Sequence, residues 1–199
     1  MSEIVIISRA RTHSGLAIGA VDLATRRPLR ILPPGRDHQP HNASVKVGDV
    51  WHADYALRGT PRPFIEDADA TLRSRMRVID AGAHIARTLP AAEGLMDELF
   101  DGMLHWNAWH EGYVEPSTPP RFSMQLWRPA TLLMRFASDT IDGAYVYWEP
   151  GTKRRLLWAG DSPAPDSIRP GTLVHVSLSR PLPGNGKHAV SRLQLSAVY

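Results

Sequence analysis

The apolar positions near the N-terminus do not leave one face for water. Residues 4–7 are an unbroken Ile-Val-Ile-Ile run; after the loop Arg11, Thr12, His13, Ser14, Gly15 comes a second run in which Leu16 and Ile18 alternate with Ala17 and Gly19. A third run, residues 28–34, follows the polar turn Ala24, Thr25, Arg26, Arg27. Short β-branched runs separated by turn residues predict a three-stranded meander. A strand apolar on both faces belongs in the middle of something. A glycine inside a strand marks a bulge or a close approach by another backbone or a ligand, and a small, strongly bent barrel needs such a residue.

Further along, residues 33–49 carry prolines and glycines with no periodicity and read as a long loop. Residues 50–57 resume as a strand that includes Trp51. Between 65 and 79 the residue types suit a helix, yet Ala68, Ala70, Leu72 and Met76 alternate, and a fifth strand is predicted there. Arg73, Arg75 and Arg77 then share one face, as a charged edge or as a stripe that follows phosphates. Leu95, Met96, Leu99, Phe100, Met103 and Leu104 recur every three or four positions and predict an amphipathic helix, with Pro90 near its start. Trp106, Trp109 and Tyr113 continue that spacing and read as a core or interdomain plug. After the proline-rich break at 116–120, six short β-rich segments follow at 122–127, 131–136, 144–148, 154–158, 172–179 and 189–198. This is the rhythm of a barrel or sandwich. The expectation is a mainly β protein with barrels at 1–80 and 118–199 and a helical connector at 81–117 packed between them.

The N-terminal order Ile-x-Ile-Ile-Ser-Arg-Ala-Arg-x-His-Ser-Gly, the strand ending Val-Asp-Leu-x-Thr, the run Pro-Leu-Arg-Ile-Leu-Pro, and His-Gln-Pro-His-Asn before Val-Gly-Asp-Val-Trp resemble the dual OB-containing domain family. The resemblance covers most of the chain and is most specific before Trp51. It implies two OB-like barrels, a nucleic-acid or nucleotide ligand, a link to prokaryotic conflict systems, and no catalytic residues.

Composition sharpens this picture. The 199 residues hold no cysteine, which excludes disulfides and thiolate metal sites, and carry a formal charge of +3. No apolar run has membrane-spanning length and the start lacks signal-peptide features, so a cytoplasmic protein with no membrane partner is expected. Only Lys46, Lys153 and Lys187 are lysine; the other 20 of the 23 basic residues are arginine. Arginine favours planar recognition of phosphate and stacking on bases, although a GC-rich genome produces the same excess.

An OB barrel binds on the face of its second and third strands and the adjoining loops. That places Arg9, Arg11, His13 and Arg30 near a first candidate site, with Gln39, His41 and Asn42 at its polar edge. The alternative is that they are solvated loop residues, with Arg30 paired to a carboxylate such as Asp22. A second candidate is the hairpin at 145–158, where Tyr145, Tyr147, Trp148 and Trp158 surround Lys153, Arg154 and Arg155. Aromatics interleaved with cations are what single-strand binding surfaces use, while half of these rings must face a barrel interior. His38 and His41 have a metal-like spacing but no fixed third ligand, and no metal or cofactor is expected. Residues 183–188, Pro-Gly-Asn-Gly-Lys-His, imitate a phosphate loop without its spacing and read as a hairpin turn. Glu66, Asp67 and Asp69 form the one tight acidic cluster, more an edge-strand start than a nuclease site. Catalytic signatures are missing. The sequence argues for a non-catalytic module that binds single-stranded DNA, RNA or a nucleotide. A scaffold with a protein partner is the rival reading, and a hydrolase or nuclease accessory domain is third.

Overall fold

The computed structural model describes residues 1–139, 141, 143–183 and 189–199. The phosphate-loop imitation at 183–188 therefore lies almost wholly outside the described residues. Five strands, β1 (Ser2–Thr12), β2 (Gly15–Asp22), β3 (Pro28–Leu32), β4 (Asp49–Leu57) and β5 (Asp67–Val78), close into a barrel in the order β1-β2-β3-β5-β4. Only β3 and β5 pair in parallel; the strand order and the single parallel pair are those of an OB barrel. Ile4, Ile6, Leu16, Ile18 and Ile31 fill its interior.

Alternation then sends Val5, Ile7 and Val21 outward, and these pack with Leu126 and Leu173 of the second unit and with Ile85 of a short helix, α1 (Ala81–Thr88). The two apolar faces of the first run thus serve two cores, one inside the barrel and one between the units. Asp80 caps α1 by accepting from the Ala83 amide at 2.9 Å, a contact that satisfies one orphan donor of the first turn. Of the expected connector at 81–117, residues Ile85, Leu89 and Ala91 pack between the units, the helical part is minimal, and the chain from Ala92 to Val114 contributes strands and core residues to the second unit.

The expected helix over residues 95–104 is corrected by the structure. Residues Met96–Gly102 form a short 3₁₀ segment broken at Leu99, Phe100 and Asp101, the last two at φ 52° and 61°. The three-and-four spacing is real, because Met96, Leu99, Phe100 and Leu104 are all buried in the second core. Their amides, however, find side-chain acceptors: Phe100 N donates to Gln125 Oε1 at 2.9 Å and Met96 N to Glu149. Tertiary partners replace the ladder a helix would have needed. Around this segment the chain forms β6 (Ala92–Gly94), β7 (His105–Trp106) and β8 (Gly112–Val114); β6 and β8 join the second sheet, and the Trp106–Tyr113 stripe is a hairpin.

The second unit is a curled sheet of β9 (Met124–Pro129), β10 (Leu133–Ala137), β11 (Tyr145–Glu149), β12 (Arg154–Trp158), β13 (Ser167–Ile168), β14 (Val174–Leu178), β15 (Leu182–Pro183) and β16 (Ala189–Val198), together with β6 to β8. Its pairing runs β10-β11-β12-β16-β14-β9, with β12 and β16 parallel. In the first barrel one long strand, β1, pairs β4 through residues 2–5 and β2 through residues 4–12. Here the same job is split: β9 pairs β14, β10 pairs β11, and residues 130–132 interrupt the strand between them. The order of the OB barrel is therefore repeated with its first strand broken in two. No described helix is long and apolar enough to cross a membrane.

Candidate functional site

The outer face of β2 and β3, where an OB barrel usually takes its ligand, is occupied by the second unit. Register makes Arg30 and Asp67 lateral neighbours on the parallel strands, with a 3.9 Å ion pair between them. The Arg30 guanidinium also donates to Ser123 Oγ at 3.0 Å and to the Leu178 carbonyl at 3.1 Å. Asp67 is shared with Arg180, and Glu66 accepts from Ser123 N at 2.9 Å and Ser123 Oγ at 3.1 Å. Burial lowers the Arg30 pKa while the charges of Asp67 and Glu66 oppose the shift; burial raises that of Glu66. This is a buried polar network joining the barrels.

The other first-barrel arginines go the same way. Arg9 donates to the Val45 carbonyl at 2.7 Å and meets Asp161 at 3.0 Å, and Arg11 meets the same carboxylate at 2.7 Å. Their backbones pair with the second unit as well, Arg11 N to Ala159 O and Asp161 N to Arg9 O. Ligand roles for Arg30 and Arg9 on an open cleft give way to roles in the seam, while Arg11 pairs with Asp161 with its side chain 70% exposed at the seam's edge; the carboxylate partner of Arg30 is Asp67, with Asp22 instead holding its own turn through Ala24 N and Thr25 N. His13, His41 and Asn42 stay exposed on loops. Gln39 is half-buried and its backbone pairs with Leu16, pinning the long loop. The Arg73, Arg75 and Arg77 stripe is likewise engaged, by Asp54, Asp49 and Glu3 in turn.

Within the seam, a cavity of about 30 Å³ is bordered by Gly19, Arg30, His38, His175 and Ser177. A Cβ on Gly19 would stand 2.3 Å from Ser8 Oγ, so the glycine makes room for its cross-strand neighbour on β1, with the His175 ring of the second unit at ordinary contact distance. His175 is buried, its Nδ1 has no hydrogen-bond partner, and desolvation, reinforced by the Arg30 charge, pushes its pKa down to about 3. Between that value and the usual 6.5 the unfolded chain binds one more proton at this site than the folded one, so stability falls as pH falls, by about 1.4 kcal/mol per unit. Glu66, with its pKa raised, has the opposite sign above its ordinary range. Urea midpoints between pH 7 and 4 for the parent and His175→Gln isolate the histidine: the parent should lose more stability on acidification than the variant.

The second candidate surface is open. Met134, Trp148 and Arg155 lie side by side across β10, β11 and β12, with Phe136 next along the same face. Phe136 is 47% exposed and meets Trp148 edge-on at 5.6 Å between ring centroids. The Arg155 guanidinium sits 5.5 Å from the Trp148 ring and is paired with Asp139; Arg135 lies opposite Tyr147 in register and so on the other side of the sheet, 4.6 Å from the Tyr145 ring, paired with Asp166 and donating to the Ala164 carbonyl. Cations over ring faces gain from the ring quadrupole. Lys153 is exposed at the tight β11–β12 turn.

Other members of the hairpin face elsewhere. Tyr147 is fully buried, donates to the Pro165 carbonyl at 2.6 Å, and has its pKa raised by burial. It belongs to the core and offers no ring to a base. Trp158 packs on it edge-on, and its indole donates to Ser162 O. Arg154 stacks on Trp106 and pairs with Asp97. Alternation along β11 decides this division: Tyr147 points in where Trp148 points out. Phe136 and Arg135 were not singled out in the sequence, where the available signal was the alternation of Met134 and Phe136 with buried Leu133. Among the described residues no three His, Asp or Glu side chains come together as metal ligands. No family model, curated protein or solved structure matches this chain.

Proposed function

We propose that the protein is a non-catalytic binding module for single-stranded nucleic acid, which it takes on the outer face of β10, β11 and β12. The observation that carries this reading is the edge-on pair of exposed Phe136 and half-buried Trp148, with Arg155 over the Trp148 ring, on the second- and third-strand face of an OB-ordered sheet. Bases stack on such rings at about 1–3 kcal/mol each, and neighbouring cations follow the phosphates. Asp139 holds Arg155 in place until a phosphate exchanges for it. A cytoplasmic setting and a role in prokaryotic defence, as the family resemblance implies, belong to the same proposal.

Fluorescence anisotropy with a labelled oligo(dT) at several salt concentrations tests it. Arg155 and Lys153 are two phosphate partners, so log K should fall with log salt at a slope of about −1.4. Binding that does not change with salt, or that is equal for a duplex, would overturn the reading. A scaffold that uses the same exposed Met134 and Phe136 against a protein would give no oligonucleotide binding even at low salt.

A further inference from the structure

On the other side of the seam lies a groove of about 860 Å³, within the range of small-molecule sites. Its walls are mainly aliphatic: Ile7, Leu57, Ile65, Leu89, Met124 and Leu126 line it with Phe122, while its polar members Arg121 and Asp101 pair with each other and Glu66 is held by Ser123. Leu57 and Ile65 are 41% and 48% exposed, so apolar surface remains open to solvent at its edge. At one border the β2–β3 turn presents Arg26 and Arg27. The turn is firmly built, with Asp22 Oδ1 accepting from Ala24 N and Thr25 N and the Asp22 amide donating to Arg27 O at 3.0 Å. Both arginine side chains are exposed and neither has an ion-pair or hydrogen-bond partner among the described residues. That separates them from the arginines of the seam, of the β5 stripe and of the second barrel's face, which are held by carboxylates. Buried His175, with its unpartnered Nδ1, also lines this groove.

We propose that the groove is a binding site for a free anionic amphiphile, a single aliphatic chain carrying a carboxylate or phosphate head, with the head at Arg26 and Arg27 and the chain along the aliphatic wall. Mainly aliphatic walls suit a hydrocarbon chain, whereas a nucleobase site would show opposed rings. Two unpaired cations at the border select an anionic head. The groove is a recess between two barrels bordered by residues 89–92, which admits a monomer and gives no face to a bilayer. The site is independent of the aromatic face on β10 to β12.

Methyl-resolved NMR titration with dodecanoate below its micellar concentration tests the proposal. Signals of Ile7, Ile65, Leu57 and Met124 should shift together while that of Met134 stays. Affinity should rise about fourfold per methylene from octanoate to dodecanoate, the step expected for burying each CH₂. The double variant R26Q/R27Q should weaken binding at least tenfold, and Ile65→Asp should weaken it without touching either arginine. Both sites are exposed, so both variants should keep the parent melting temperature, and both should keep the parent's affinity for oligo(dT). Absence of groove shifts, equal binding of dodecyltrimethylammonium, unchanged affinity in R26Q/R27Q, competition by AMP, or co-sedimentation with anionic vesicles in place of monomer binding would each overturn it.

Discussion

Arg30→Ala should cost the protein about 3 kcal/mol, because it breaks a buried ion pair from one side. Asp67 and Glu66 would lose a compensating charge in a site closed to water, and the Leu178 carbonyl and Ser123 would lose a donor. Arg180 remains on Asp67 and keeps the loss at the lower end of the range for such pairs. With a urea dependence of about 2 kcal/mol per molar, the unfolding midpoint should move down by about 1.5 M. The contrast with a ligand-binding arginine is sharp. A residue that held phosphate would leave stability alone and reduce affinity, whereas here the folded fraction should bind oligo(dT) as the parent does. Unchanged stability would show that the seam does not depend on Arg30.

The fold was legible in the sequence where burial repeats at short range. The double-faced run at residues 4–7, the alternation at Leu16 and Ile18, and six β-rich segments after residue 118 all became strands close to where the pattern placed them. Residues 65–79 became a strand because alternation outweighed the helical preference of Ala, Leu, Arg and Met. The segment at 95–104 went the other way. Its helical spacing describes what is buried, while the Gln125 and Glu149 side chains that take its amides lie 25 and 53 residues away and cannot be seen in a local window.

The candidate site was less legible, for a related reason. A lone sequence shows that Arg9, Arg11 and Arg30 flank an OB face, but which side of the barrel meets the second unit depends on pairs such as Arg30 with Ser123 and Arg11 with Asp161. Those contacts turn Arg30 and Arg9 into seam residues and leave Arg11 exposed at the seam's edge. The hairpin at 145–158 carries enough local information to be recognised as aromatic and basic. Sorting Tyr147 inward and Trp148 outward needed the register, and so did the recruitment of Phe136 from the neighbouring strand. Arg26 and Arg27 read as turn residues, and only the groove beside them gives their charge a further meaning.

Phe136→Ala and Trp148→Ala should each weaken oligo(dT) binding by about tenfold to a hundredfold, the loss of one stacked base at roughly 1–3 kcal/mol. The two should differ in stability. Phe136 is half exposed and its truncation should shift the melting temperature little, while Trp148 is partly buried and carries Arg155 over its ring, so some stability goes with it. Phe136→Tyr keeps a ring of the same shape and should restore affinity, which a loss of fold would not allow. Arg155→Ala should act through charge, lowering the slope of log K against log salt by about 0.7 while leaving the stacking contribution in place. Tyr147→Ala is the control for burial: it empties a core position and removes the donor to Pro165, and should cost about 3–5 kcal/mol of stability, as large-to-small aromatic changes in cores do. If Phe136→Ala and Trp148→Ala bind as the parent does, the strand passes over some other surface, and the aromatic face of β10 to β12 is no part of it.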